Sequence, residues 1–481
     1  MGIVARVLKR FGYVKPAPRR RRSYNAAAIS RLFSNWATNS LSADAEIYKD
    51  RKAIVARARD MARNNDHVKR FANLIKKNVI GHTGIWPQSQ AETKNGKADV
   101  DAREKIEGAF KRWAKKGICE ITGKYSLTTA YQLAIATIVK DGEVFIRHRH
   151  GAKNPFGYAF QLIESDHVDD TLNATLDNGN EIKMGIELNK DNRPVAYHML
   201  KKHPGEYGFG EQRGETVRIP AAEILHVFIP ERISQNRGVS ALSQSLPKLK
   251  NLDGYDEAAV IAARLAASKM IFYTKPENAG EYKADDLEDD GTPIYDIEPA
   301  LAEILEAGWG VETVDFNQPN NAYPDFVKAQ LKAIAAGIDV PYHQLSADLE
   351  GVSYTSSRTG ELDARDTYQI LQLFFIENIA EPIFLAWLEN SLLTRAVNLP
   401  LDPEAVARWE KVKFSHRGWQ WVDPENDMNA AEKAIQLGIK TATELAAEAG
   451  NDFEDNIKRQ AEENKLRQDA GLLTAQEMQN A

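Results

Sequence analysis

Apolar positions along the chain change rhythm several times, and each change predicts a change of structure. Residues 23 to 80 read as mostly helical. Ile54, Ala58, Met61 and Ala62 keep helical spacing, Arg63-Asn64-Asn65-Asp66 reads as a turn that starts a new helix, and Val68, Phe71, Ala72, Ile75 and Val79 then repeat at three and four residues, the period of an amphipathic helix. Gly81 and Gly84 close it, with Pro87 beyond. Asp101 to Lys116 predicts a further helix with Ile106, Phe110 and Trp113 on one face.

Between about 120 and 230 the pattern shortens to β-rich runs after a helix over Ser126 to Lys140 and a turn at Asp141-Gly142. The runs begin at Val144-Phe145-Ile146 and continue as Tyr158 to Ile163, Ile182 to Leu188, Val195 to Leu200 and Ile224 to Ile229. Asn178-Gly179-Asn180, Asp191-Asn192 and Gly208 to Gly214 separate them with turn chemistry, which predicts a mainly antiparallel unit. Helical spacing returns at Gly238-Val239-Ser240, runs through Leu242, Leu246, Leu249, Leu252, Val260, Ile261 and Leu265, and fails near Tyr273. Pro247 should kink this span or mark a boundary. Residues 274 to 321, rich in acid, Gly and Pro, suit a small module with short strands. Tyr323, Phe326, Val327, Leu331, Ile334 and Ile338 share a helical face stopped by Pro341; a long helix is expected from Arg358 to Leu393, bent or broken near Pro382. The last sixty residues are helical and charged, with small apolar stripes such as Ile435, Leu437, Ile439 and Leu445. No internal repeat is visible.

Composition narrows the class. Hydrophobic residues make up 43% and charged residues 27% of the 481, enough for real cores in two to four folding units. The net charge of −6 advertises no global affinity for nucleic acid; a chain that lets DNA slide past should avoid strong attraction to phosphates. One cysteine, Cys119, excludes a disulfide within the chain and a cysteine-based zinc site. The order of charges through Met1 to Arg22 is wrong for a signal peptide, and its basic run Arg19 to Arg22 reads as a solvated arm. No window is expected to have the uncharged length that crosses a bilayer.

Candidate chemistry is sparse. A phosphate-cradling loop would place Lys-Ser or Lys-Thr after a Gly-x4-Gly spacing; Gly117 to Gly123-Lys124-Tyr125 has one residue too many and a Tyr for the hydroxyl. His148 and His150 alternate on a strand and can point to one side, but a metal site needs a third ligand, with Asp166 and His167 the nearby suggestion. No Gly-x-Ser-x-Gly is present, and Cys119 has no evident activating base. Catalytic, cofactor-binding and metal-binding residues are therefore expected to be absent. Three other segments stand out: the strand-to-helix junction Gly238 to Leu242, where Ser240 or a neighbour can cap a helix; the polar stretch after Ile338-Asp339-Val340-Pro341, ending Gly351 to Ser357; and Gly418-Trp419-Gln420-Trp421-Val422-Asp423-Pro424.

Taken in order, these segments resemble the lambda-type family of tailed-phage portal proteins. The residues carrying the resemblance are Arg63 to Asp66 with Asn78-Val79-Ile80-Gly81, Asp141-Gly142-Glu143, Gly238 to Leu242, Gly337 to Tyr342, Tyr354 to Ser357 and Trp419 to Pro424. Each motif is weak alone; six in the right order, over about residues 30 to 470, are specific.

The resemblance implies an α+β portal-type fold with a mixed α/β wing, a two-helix stem, a small α/β clip and a helical C-terminal crown. On this sequence it implies a basic arm and helix at 1–54, wing at 55–237, stem helices at 238–270 and 322–343, clip at 271–321, tunnel loop at 344–357, a wing helix and return at 358–419 and a crown at 420–481. The implied assembly is a ring of about twelve subunits at one capsid vertex. It would pass double-stranded DNA, dock the terminase large subunit and later a head-tail adaptor, and contact major capsid and scaffolding proteins, with no membrane partner. It would assemble in the host cytoplasm and reside in the virion. Asp348, Glu350, Ser353, Tyr354, Thr355, Ser356 and Arg358 would face the channel, the two carboxylates repelling phosphates, the hydroxyls touching them weakly and Arg358 attracting them. Another virion structural or adaptor protein, and a metal-dependent nuclease, are the competing readings.

Overall fold

The computed structural model describes residues 40–206, 215–267, 271–274, 310–313, 322–350, 354–419 and 423–470. The basic arm, the turn at Gly208 to Gly214, most of the expected clip, Ser353, Trp421 and the last eleven residues lie outside them.

Two helices open the described chain, α1 (Ala43–Asn64) and α2 (Asp66–Ile75), broken at Asn65. The Asn65 side chain accepts the Val68 amide, capping α2, and its own amide donates to Asp253. The expected turn at Arg63–Asp66 is therefore also a tie to a distant helix. A π-turn, Lys76–Ile80, carries α2 to Gly81, whose φ of 71° ends it. Then follow β1 (Trp86–Ser89), α3 (Val100–Trp113) and α4 (Leu127–Asp141).

The β region is antiparallel in every described pairing between its strands. Strands β2 (Glu143–His150) and β3 (Tyr158–Ile163) pair directly. Next come β4 (Ala174–Thr175), β5 (Glu181–Lys183), β6 (Ile186–Leu188), β7 (Pro194–Leu200), β8 (Thr216–Pro220) and β9 (Ile224–Phe228). They form a three-stranded sheet ordered β3-β2-β9 and a five-stranded sheet ordered β4 to β8. The run expected as one strand from Ile182 to Leu188 is two, because Met184 and Gly185 both adopt positive φ. Strand alternation divides the interior: Val144 and Ile146 of β2 join the large core, while Phe145 between them joins a smaller one with Val168, Tyr197 and Ile219.

Helix α5 (Leu246–Ala267) begins eight residues after the expected start at Gly238. Pro247 supplies the reason: it is tolerated in a first turn, where an amide has no partner to lose, and not further in. Ser240 still caps locally, its hydroxyl accepting the Leu242 amide in a buried turn. Strands β10 (Ile271–Thr274) and β11 (Gly310–Thr313) pair antiparallel across the expected clip. Helix α6 (Tyr323–Gly337) lies against α5, with Tyr255 stacked on Tyr323 at 5.6 Å and Tyr323 donating to Asp256 at 2.8 Å.

A short helix α7 (Tyr342–Ser346) leads towards α8 (Tyr354–Phe375). A π-turn, Ile376–Ala380, joins α8 to α9 (Glu381–Leu393). Pro382 has no amide to donate back along the helix, and widening the preceding turn accommodates that without ending it. The expected bend thus takes the form of a π-turn. By length and composition the span Arg358–Leu393 passes as a membrane helix, contrary to the expectation that no such window exists. Part of its apolarity serves the core, where Phe375, Ile379, Ile383, Phe384, Trp387 and Leu388 are buried, while Leu362, Ile370, Leu373 and Leu393 stand exposed. There Phe110 meets Trp387 edge-on at 4.9 Å and Trp113 stacks on Tyr158 at 5.7 Å.

The chain closes with α10 (Pro403–Trp409), β12 (Val412–Ser415), which pairs with β1, and the helices α11 (Pro424–Gln436), α12 (Ala442–Glu448) and α13 (Phe453–Asp469). The last three bury no residue completely, and Leu437 and Ile439 are exposed.

Candidate functional site

The loop between α6 and α8 is the site that the sequence singles out. Helix α6 ends at Gly337, Asp339 at φ 54° turns the chain, Pro341 caps the short α7, and Ala347 at φ 62° ends it. Asp348 is fixed by three donors: the Tyr342 hydroxyl at 2.9 Å, Lys328 at 3.3 Å and the Glu350 amide at 2.8 Å. The Glu350 amide bond, with Tyr342 and Lys328 behind it, holds the Asp348 carboxyl below its ordinary value. Leu349 and Glu350 are exposed at the tip.

The structure brings some of the expected loop residues together and separates others. Tyr354, Thr355 and Ser356 stand in the first turn of α8, and Arg358 in its second, so the expected loop ending at 357 is corrected to one ending before 354. Arg358 turns away to the C-terminal helices, donating to Asp427 at 2.8 Å with Asp423 at 3.7 Å. Behind the loop, Glu361 accepts from His343 at 2.9 Å and from Gln344 at 3.0 Å. Burial works to raise its pKa, and these bonds outweigh it and pull it down.

The motifs outside the loop prove to be joints. Glu143, fully buried, accepts from Arg237 at 2.6 Å, Arg51 at 2.6 Å, His226 at 3.0 Å and the Gly238 amide at 2.8 Å. Burial alone would raise its pKa; Arg237 and Arg51 drive it well below the carboxylate range instead. Gly142, with φ 96°, and Gly238 approach so closely that a Cβ on Gly238 would stand 2.2 Å from the Gly142 carbonyl oxygen. Thus Asp141-Gly142-Glu143 and Gly238 to Leu242 form one seam between α1, β2 and the lead into α5. A second seam joins Asn78 to Arg417, with Gln372 donating to both the Asn78 and Arg417 carbonyls at 3.1 and 2.9 Å. Sequence reading missed Arg237, Arg51 and Gln372; Arg237 beside the glycine motif was the one available signal.

His148 and His150 do share a side, their rings 5.9 Å apart, but each has another partner: Tyr158 at 2.7 Å for His148 and Asn390 for His150. Burial, with His150 beside it, lowers His148 to about 4. Asp166 lies elsewhere, with Glu164 and His203, in an arrangement that could hold a cation. Two contacts oppose that. Arg59 donates to Asp166 at 2.6 Å, and His203 Nδ1 accepts the Gly205 amide, leaving the proton on the Nε2 that would have to ligate. His167 bonds the Leu200 carbonyl. Burial pushes the Cys119 thiol up to about 12, which keeps it protonated and poorly nucleophilic.

The family description "Phage portal protein, lambda family" matches residues 30–372. The chain therefore belongs to the lambda family of phage portal proteins, structural components of the bacteriophage virion. Among curated relatives it is similar to the probable portal protein of Halomonas phage phiHAP-1, 36% identical over 440 residues, covering 90% of this chain and 84% of that one. Portal protein B of Escherichia phage lambda is 23% identical, over 91% of this chain and 88% of that one. Among solved structures, a chain from the neck of a native GTA particle computed with C12 symmetry aligns at TM-score 0.46 and 12% identity, covering 84% of this chain and 94% of that one. That likeness is too loose to carry an argument.

Proposed function

We propose that about twelve copies of this chain close into a ring at the capsid portal vertex, through which double-stranded DNA is packaged and ejected. In this reading α5 and α6 are the paired stem helices, the paired strands β10 and β11 mark the clip, residues 344 to 353 form the tunnel loop, and α11 to α13 form the crown. The α/β body from 55 to 237, completed by α8 and α9, is the wing. The terminase large subunit, and later a head-tail adaptor, dock on the ring, with capsid and scaffolding proteins around it. Assembly takes place in the host cytoplasm, and the role is structural rather than catalytic.

One observation carries the reading. The paired helices α5 and α6 bury Leu249, Leu252, Leu331 and Ile334 but leave Val260, Ile261 and Phe326 about half exposed. Apolar surface on two packed helices of one subunit calls for a neighbour, and a closed ring supplies one for every copy. An acidic chain with Asp348 and Glu350 near the loop tip suits cargo that must pass without sticking. Native mass spectrometry and negative-stain microscopy of the purified chain test this. A ring near twelve subunits, lost in Val260→Asp with Phe326→Asp, is expected; a strict monomer at high concentration, alone and with capsid and scaffolding proteins, would sink it.

A further inference from the structure

Beside the loop lies a cleft of about 340 Å3 into which four cations converge from four places in the sequence. Arg70 comes from α2, Lys77 from the π-turn after it, Arg365 from α8 and Arg417 from the segment after β12. Arg417 and Arg365 flank one indole, their guanidinium carbons 5.7 and 6.0 Å from the Trp419 ring. The carboxylate in the lining is Glu361, whose oxygens are already engaged by His343 and Gln344. Among the described residues, Arg70, Lys77 and Arg417 form no ion pair with a carboxylate; Arg70 and Arg417 spend donors on backbone and amide oxygens instead. Four positive groups and one carboxylate line the cleft, in a chain whose net charge is −6. Burial, with Arg365 adjacent, pulls Arg417 below its ordinary value.

We propose that this cleft binds a backbone phosphate of DNA. The inference rests on the reading of the chain as a channel subunit, because the cleft opens beside Ala347 and Leu349 of the loop assigned there. A phosphodiester offers several acceptor oxygens to donors arriving from different directions, which suits two guanidinium forks and an ammonium. The cleft has room for one phosphate with its sugar, so it contacts the backbone at a point, without reading sequence. Binding is weak, salt-dependent and sequence-independent.

Fluorescence anisotropy of a labelled duplex with the full chain, titrated across salt, tests the site while native mass spectrometry follows assembly. Lys77→Gln, an exposed change, is expected to flatten the slope of log affinity against log salt by about one, and Lys77→Gln with Arg365→Gln by about two. The double variant should bind about tenfold more weakly or worse at low salt, and Lys77→Arg should bind as the parent does. An unchanged slope in a variant that still assembles overturns the phosphate site and leaves the ring intact. Unchanged duplex binding with loss of the ring also overturns it, marking the cleft as a receptor for a neighbouring subunit's carboxylate. If the parent chain never forms a ring yet shows the expected slopes, the phosphate site stands and the channel reading falls.

Discussion

Glu143 and Arg237 face each other with no solvent on either side chain, Arg237 Nε and Nη2 both within 3.1 Å of the carboxylate. Arg51 approaches the same oxygen from α1, so a single carboxylate ties three stretches of chain together. Glu143→Gln leaves the buried Arg237 without a carboxylate and Arg51 with Asp170 alone, and is expected to cost about 3–5 kcal/mol of stability. Arg237→Met should cost less when added to Glu143→Gln than alone, because the partner is already gone. Urea unfolding of the three variants checks both the size and the non-additivity.

Gly238→Ala should be severely damaging for so small a substitution. Its new Cβ would meet the Gly142 carbonyl oxygen at 2.2 Å and the Gly142 carbonyl carbon at 2.6 Å, backbone atoms that cannot swing aside. Expression is expected to yield insoluble or protease-sensitive protein. Gly254→Ala, where a Cβ meets nothing within 4 Å on helix α5, should match or slightly exceed the parent in thermal stability.

His148 makes the fold acid-sensitive in a defined window. Its folded value of about 4 lies below the ordinary value of 6.5, so between those limits the unfolded chain binds the extra proton. Stability from neutral His148 is complete above about 6.5 and is lost as pH falls towards 4. The loss is on the order of 2–3 kcal/mol. Denaturant midpoints measured from pH 7 to pH 4 should fall, and His148→Gln should flatten part of that fall.

The contact between Arg358 and Asp427 tethers α11 to the start of α8 without joining a core. Asp427→Asn is expected to raise amide hydrogen exchange across residues 424 to 436 while leaving the global unfolding midpoint unchanged. A fall in the midpoint would mean that the tether supports the core after all.

Element types were legible where the period is local. The face of α6, the helix pair broken at Asn65, and the strand Tyr158–Ile163 follow from spacing and turn residues within a dozen positions. Boundaries failed where a backbone detail decided them. Pro247 delayed α5, Met184 and Gly185 split a strand, and α8 starts at Tyr354 rather than at Arg358. The joints were visible as motifs but not as contacts. Glu143 and Arg237 lie 94 positions apart, and Asn78 and Arg417 lie 339 apart, distances at which spacing carries no geometric information. The cationic cleft was hidden for the same reason, since none of its four cations stands out in its own segment.

The π-turn at Ile376–Ala380 has a mechanical consequence. It lets one uninterrupted helical rod run from Tyr354, beside the loop, to Leu393, in the aromatic core, a reach of about 60 Å at helical rise. The rod is seated along its length, at Ala364, Tyr368, Gln372 and Phe375 as well as at Phe384 and Trp387, so a displacement at its loop end is shared with the body over several turns rather than absorbed at a hinge.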